Sequence, residues 1–224
     1  MDPDLLAYLS EFVTERRRRR MLEVLSERTR HLTVVLEDLY QPHNGSAVLR
    51  SCDAFGIQDV HIVERKNRYR TNPDIDLGTS QWLTLHRYQG PEAEPEAVLG
   101  ALRKAGYRTV ATARREDAVP LDELDLKAGP VALLFGTEIS GLTPETIAGA
   151  DGALWIPMHG FVESFNISVS VALCLQELTR RLRASEIEWT LPEEARKEIY
   201  LDWIRKSIKN VEALEARYTS ERER

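Results

Sequence analysis

Cysteine is nearly absent from this chain: two among 224 residues, Cys52 and Cys174. Both fall within apolar helical patterns, so buried free thiols are expected, not a disulfide framework. No Cys or His pair has metal-ligand spacing, and the five histidines are scattered, so a metal site is not expected either. No run of about 18 apolar residues occurs, which argues against a helical membrane span. The opening Met1-Asp2-Pro3-Asp4 puts no basic region ahead of an apolar one, so no secretory signal is expected and a cytoplasmic location is. No internal repeat is visible. No G-x-G-x-x-G follows any predicted strand, which speaks against a dinucleotide-dependent oxidoreductase.

A positive net charge is also missing. The formal charge is −6, and the acidity lies in the middle of the chain, where residues 32–175 hold 19 acidic and 12 basic residues. Cations are grouped at both ends of that stretch: Arg16 to Arg20 run unbroken, and Arg180, Arg181 and Arg183 close an apolar segment. Phosphate contacts depend on such local clusters more than on net charge, although a charge run by itself fits a solvated face equally well.

Strand and helix patterns alternate through the middle. Leu32–Leu36, Val60–Val63, Trp82–Leu85, Thr109–Thr112, Val131–Phe135 and Ala153–Ile156 read as strands. Gly45–Phe55, Pro95–Ala105, Pro144–Ala148 and Asn166–Arg183 read as helices between and after them. Such alternation predicts an α/β domain, a mostly parallel sheet flanked by helices. Ahead of it, Leu5, Leu9 and Phe12 form one helical stripe, and Met21, Leu22 and Leu25 a second beyond the arginines. Five successive arginines span more than a turn, so that part cannot be buried. After it, Thr190-Leu191-Pro192-Glu193 resembles a capping box. Ile199, Trp203, Ile208, Val211 and Leu214 then read as the stripe of one charged helix. The expected organisation is a basic helical extension over 1–30, a domain over 31–185 and a helical extension over 186–224.

Three segments could carry chemistry. In Trp155-Ile156-Pro157-Met158-His159-Gly160 … Ser164-Phe165-Asn166-Ile167-Ser168-Val169, a strand ends at Pro and Gly and feeds a long apolar helix. Ser164 or Asn166 should cap that helix, leaving backbone N–H groups to face a ligand. Such turns bind small molecules in open α/β folds, but an ordinary strand–helix connection reads the same way. In Gln41-Pro42-His43-Asn44-Gly45-Ser46, Asn44 is the expected cap, and Arg50, leaning back along the helix, should reach the same opening. His43 reads as a turn residue, not a catalyst. In Phe135-Gly136-Thr137-Glu138-Ile139-Ser140-Gly141, Gly136 allows a close ligand approach and Glu138 offers a carboxylate at the rim.

Taken together, the three segments resemble the motifs of the TrmH family of SPOUT methyltransferases. Asn44 and Arg50 match the first motif, Gly136-Thr-Glu-Ile-Ser-Gly-Leu142 the second, and Ile156-Pro-Met … Ser164-Phe-Asn-Ile-Ser-Val the third. The resemblance covers residues 15 to 185, and both terminal helical segments resemble the branch that methylates guanosine 18 of tRNA. It implies a C-terminal trefoil knot, a homodimer whose active sites draw on both subunits, tRNA as partner and S-adenosylmethionine as cofactor. Carried over position by position, the cofactor contacts would be Thr112, Gly136, Ile156, Met158 and Phe165, the last standing where the family often has Leu.

The implied reaction is methyl transfer to a ribose 2′-OH, on guanosine 18 in the D-loop or on another tRNA or rRNA nucleotide. A non-catalytic RNA-binding module of the same fold is the competing reading. The motif-one Arg is the family's proposed base, here Arg50. A guanidinium is not deprotonated in proteins, so Arg50 is better read as holding phosphate and stabilising the forming alkoxide. Asn44 would hold Arg50 and the loop in place, Ser164 and Asn166 would orient the ribose or Arg50, Glu138 would order the pocket, and Arg180 would meet RNA.

Overall fold

The structure is a computed structural model describing residues 3–70, 72–137 and 140–222. Its contacts divide the chain into two units, one holding both terminal segments (up to Arg28 and from Thr190) and the other spanning Thr29–Trp189.

The first unit begins with α1 (Pro3–Ser10) and α2 (Glu15–Ser26). The Thr14 side chain accepts a hydrogen bond from the Arg17 N–H and caps α2. Of the α2 stripe, Met21 and Leu25 are buried, while Leu22 is about half exposed and most of the arginines before it are exposed.

Among the described residues, the second unit is built on seven parallel strands. In chain order the elements are β1 (Leu32–Glu37), α3 (Pro42–Ala54), β2 (Asp59–Glu64), the single turn α4 (Pro73–Asp76), β3 (Thr84–Gln89), α5 (Pro95–Lys104), β4 (Arg108–Thr112), the two-residue β5 (Val119–Pro120), β6 (Val131–Phe135), α6 (Pro144–Gly149), β7 (Gly152–Trp155) and α7 (Ile167–Arg183). The strand order is β3-β2-β1-β6-β4-β7-β5, with register such as Val34 opposite Val60 on one side and Leu133 on the other. Parallel neighbours require crossovers, and here helices supply most of them and cover both faces. Leu32, Val34 and Leu36 of β1 face a cluster with Val48, Leu49 and Cys52 of α3 and Val171, Cys174, Leu175 and Leu178 of α7. Val35, one residue out of phase, faces Val98, Leu99 and Leu102 of α5. This two-sided burial is why β1, β2 and β6 are buried at every position.

A polar layer interrupts the α5 face at β2 and β3. Arg30 Nε donates to Asp59 Oδ2 (2.6 Å), and the other Asp59 oxygen lies 2.7 Å from His86 Nε2. His61 stacks on His86 at 4.5 Å and its Nδ1 lies 2.9 Å from the Tyr88 hydroxyl, with the Tyr107 ring edge-on. Burial, with the neighbouring His86, pushes the His61 pKa down to about 4. Burial works against ionised Asp59, but the His86 hydrogen bond and Arg30 outweigh it and hold the carboxyl below its ordinary value.

Several expectations need correction. The third strand is Thr84–Gln89, not Trp82–Leu85, because Trp82 ends a 3-10 turn before the edge strand begins. Helix α3 starts at Pro42 with Gln41 as N-cap, so Asn44 lies in its first turn and is not the cap; proline's fixed φ suits that first position. Among the described residues, the tail forms α8 (Glu193–Lys206) and α9 (Val211–Arg222), not one helix. The break falls at 207–210, where Asn210 takes φ 55°, so Ile208 lies outside either helix. Pro192, not Thr190, is the N-cap of α8, and it makes no side-chain cap bond. Ile199, Leu201, Trp203 and Ile204 of α8 are buried, and within its unit α8 meets α1 and α2.

Candidate active site

The C-terminal ends of β4, β6 and β7 deliver three loops to one cavity of about 400 Å³. Thr112 ends β4, and Ala113 and Arg114 follow it. Phe135 ends β6, and Gly136, Thr137, Ser140, Gly141 and Leu142 follow it. Leu154 to Ile156, Met158, Glu163, Ser164, Phe165, Ile167 and Ser170 complete the lining. This is the crevice outside the carboxyl ends of a parallel sheet, where open α/β folds hold ligands.

Backbone geometry shapes the β6 loop. Thr137 and Gly141 exchange N–H···O bonds of 3.1 and 3.0 Å, closing a tight loop, and Gly141 takes φ 67°. The Thr137 hydroxyl accepts from the Ser140 N–H and lies 2.7 Å from the Ser140 hydroxyl. A Cβ on Gly136 would stand 2.0–2.1 Å from the Gly141 and Leu142 backbone. Glycine at 136 is therefore imposed by the loop's own backbone, a reason different from the ligand approach expected from sequence. Glu138 lies outside the described residues.

The third loop ends where Asn166 caps α7, its Oδ1 accepting from the Ser168 N–H at 2.9 Å. Asn166, not Ser164, is thus the cap. Asn166 Nδ2 also donates to Asn44 Oδ1 (3.2 Å), and Asn44 Nδ2 donates to Gln41 Oε1. Buried Asn44 so joins the first turn of α3 to the head of α7, which pack side by side.

Thr112, Gly136, Ile156, Met158, Phe165 and Ser164 all line the cavity. The Thr112 hydroxyl is turned away, donating to the Leu134 carbonyl at 2.7 Å. Arg50 does not line the cavity. Its Nη1 donates to the Ile75 carbonyl (3.2 Å) from an exposed position, which corrects the expectation that it reaches Asn44's opening within one chain. Six residues along a helix carry a side chain about 120° around the axis and about 9 Å along it, so backward lean cannot bring the two together. At the far end of α7, exposed Arg180 pairs with Glu177, while Arg181 bonds the Leu121 and Leu124 carbonyls and Arg183 the Phe55 carbonyl.

Comparison with known proteins agrees with this geometry. Residues 31–176 match the SpoU rRNA Methylase family, and the chain belongs to that family. It is 38% identical over 218 residues to a tRNA (guanosine(18)-2′-O)-methyltransferase of Borreliella burgdorferi, an alignment covering 96% of this chain and 98% of the relative. Among solved structures, the TrmH/SpoU tRNA modifying enzyme of Aquifex aeolicus superposes with a TM-score of 0.76 at 29% identity, covering 88% of this chain and 98% of that one. The SpoU methyltransferase AviRb of Streptomyces viridochromogenes, solved in complex with AdoMet, superposes at 0.60 with 25% identity, over 73% of this chain and 65% of that one.

Proposed function

We propose that this chain transfers a methyl group from S-adenosylmethionine to the ribose 2′-OH of guanosine 18 in tRNA. One observation carries the reading: Thr112, Gly136, Ile156, Met158 and Phe165, widely separated in sequence, line a single cavity at the C-terminal edge of the sheet. The lining suits the cofactor. Leu142, Leu154, Ile156, Met158 and Phe165 offer apolar surface for an adenine ring and the carbons beside the sulfonium, the volume lies within the range of small-molecule sites, and Arg114 and Glu163 offer opposite charges for an amino-acid moiety. Bound there, S-adenosylmethionine supplies a methyl group activated by a sulfonium.

The protein's own residues then have to bring a sugar oxygen into line and stabilise it as it loses its proton. Arg50 holds the target's phosphate and stabilises the forming alkoxide, the proton leaving to phosphate or water. Asn44 and Asn166, hydrogen-bonded to each other, fix the two helix heads, and Ser164, on the cavity wall, orients the ribose. Glu138 orders the pocket, and Arg180 meets RNA at the distal end of α7. Since Arg50 does not line its own chain's cavity, the arginine at each site comes from a second copy of the chain. The apolar side chains of Phe165, just ahead of α7, and of Val169 and Leu173 on it, partly exposed at four-residue spacing, support a homodimer packed on that helix.

The reading includes a knot in the chain around the 136–142 and 156–165 loops, a catalytic domain over 31–185 with extensions over 1–30 and 186–224, and a cytoplasmic setting. No helix among the described residues is long and apolar enough to cross a membrane. The test is incubation of the purified protein with tRNA and methyl-labelled cofactor, followed by digestion to nucleosides. The label should appear in 2′-O-methylguanosine. Label in a base-methylated nucleoside, or none, contradicts the reading.

A further inference from the structure

The loop after β2 carries a run of cations, Arg65-Lys66-Asn67-Arg68-Tyr69-Arg70, in a stretch of chain that is acidic overall. Its side chains alternate. Lys66, Arg68 and Arg70 are exposed, while Asn67 is half-buried and Tyr69 is only 6% exposed.

The inward residues and the backbone are tied down at several points. Asp38 Oδ1 accepts from the Lys66 and Asn67 N–H groups (2.7 and 3.3 Å), and Asn67 Nδ2 donates to the Asp38 carbonyl (3.0 Å). Asp38 itself takes φ 54°, a left-handed conformation that turns the end of β1 toward this loop. Glu64 Oε1 accepts the Tyr69 N–H at 2.7 Å, and Arg87, paired with Glu64, donates to the Tyr69 carbonyl at 2.8 Å. The Tyr69 ring fills the space over Gly45, where a Cβ would stand 2.3 Å from it, and Asn72 N–H donates to the Ser46 hydroxyl. Gly45 and Ser46 belong to the first turns of α3, the helix that carries Asn44 and Arg50.

The outward residues are not used in this way. Among the described residues, Lys66, Arg68 and Arg70 form no ion pair, and Arg68 donates only to the neutral side chain of Gln89. Arg65, by contrast, pairs with Glu94 and helps hold the loop. The result is a pre-ordered row of positive charge at the C-terminal edge of the sheet. Two strand spacings, about 10 Å, separate the end of β2 from that of β6, where the cavity begins.

We propose that Lys66, Arg68 and Arg70 form a phosphate-binding rail for the RNA substrate, an inference that rests on the reading of the chain as a tRNA methyltransferase. A row of phosphodiesters matches it better than an acidic protein. The loop is tied down by hydrogen bonds, its exposed cations alternate with the inward Asn67 and Tyr69, and the proposed polyanionic substrate approaches over the same edge. Because the backbone is already fixed, little ordering entropy opposes binding.

The test is the combined Lys66→Ala, Arg68→Ala and Arg70→Ala variant. The KM for tRNA should rise about tenfold or more, with kcat and cofactor binding unchanged, since a remote phosphate contact contributes to ground and transition state alike. The slope of log Kd against log salt should become shallower by about 2 to 3, one phosphate contact per cation removed. Arg68→Lys with Arg70→Lys should keep the wild-type slope, because the charges remain. A triple variant that melts like wild type and keeps both its KM and its salt slope overturns the inference. If the triple variant melts lower, Arg70→Glu alone decides: a KM raised severalfold supports the rail, and an unchanged KM rejects it. Wild-type protein that transfers no methyl group to tRNA would sink the functional reading instead, and direct tRNA titrations at several salt concentrations would still report on the loop.

Discussion

Two polar regions of the second unit make an instructive pair. One is the cavity at the C-terminal edge of β4, β6 and β7. The other is the layer of Arg30, Asp59, His61, His86, Tyr88 and Tyr107 under α5. Both put polar groups next to an apolar core. In the layer, Asp59 and the two histidines face partners within the same chain, at distances of 2.6–2.9 Å. At the edge, the loop after β6 closes on itself through backbone bonds, and the hollow beside it is open to solvent and lined by apolar side chains together with Arg114, Glu163 and several hydroxyls. Ionisable groups alone therefore do not mark a site. Here His61, with its lowered pKa, and His86 belong to the scaffold, while the proposed chemistry depends on loop shape and one guanidinium.

Variants can break or sharpen that contrast, since edge changes should move catalysis and layer changes should move stability. The largest effect is expected from Arg50→Ala. Removing a group that stabilises developing charge should lower kcat by roughly 100- to 1,000-fold, with thermal stability and cofactor binding near wild type. Arg50→Lys should fall between, since a point charge cannot copy the planar fork. An Arg50→Ala enzyme with near-full kcat would remove Arg50 from the chemistry.

Next comes the layer. His61 is neutral when folded, with a pKa of about 4 against 6.5 when unfolded, so between those values the unfolded chain binds more protons. Stability should therefore decline as pH falls from about 6.5 to about 4 and level off below, a change of about 3 kcal/mol from this residue. His61→Asn, which keeps a polar atom near Nδ1 for Tyr88, should flatten that part of the curve in denaturant unfolding at pH 7 and pH 5. Equal pH dependence in the two proteins would contradict the assignment.

Gly136→Ala should cross the boundary between the two classes. Its Cβ cannot coexist with the Gly141 and Leu142 backbone, so the loop must shift, at about 1–3 kcal/mol of stability and with at least a tenfold weaker cofactor affinity. Calorimetric titration and melting together check both halves. The smallest effect is expected from Asn166→Ala, which removes the cap of α7 and the link to Asn44. A loss of about 1 kcal/mol is expected in thermal unfolding, with a modest drop in kcat.

Much of this arrangement can be read in the sequence, for physical reasons that differ by element. Strands buried on both faces, such as Val131–Phe135, show as continuous apolar runs, and the turn residues Gly136, Gly141 and Asn166 mark the loops between them. The edge strand Thr84–Gln89 is only partly buried, so its apolar signal is weak and the neighbouring Trp82 draws the assignment upstream. Val119–Pro120 is too short to show any periodicity. The break between α8 and α9 is hidden because the apolar stripe continues across it. The first and third motifs announce their asparagines, but the bond between Asn44 and Asn166 spans 122 positions and has no local signature. Arg50's direction follows from its six-residue offset from Asn44, once both are seen to lie on one helix. The cations after β2 resemble any solvated charge run until Asn67 and Tyr69 are seen holding their loop.

The central claim is that one sugar oxygen accepts the methyl group, and a single atom can test it. A tRNA carrying 2′-deoxyguanosine at position 18, otherwise identical to a substrate transcript, should bind with unchanged affinity and take up no label from methyl-labelled cofactor. Label incorporated at the wild-type rate into that tRNA would contradict the account.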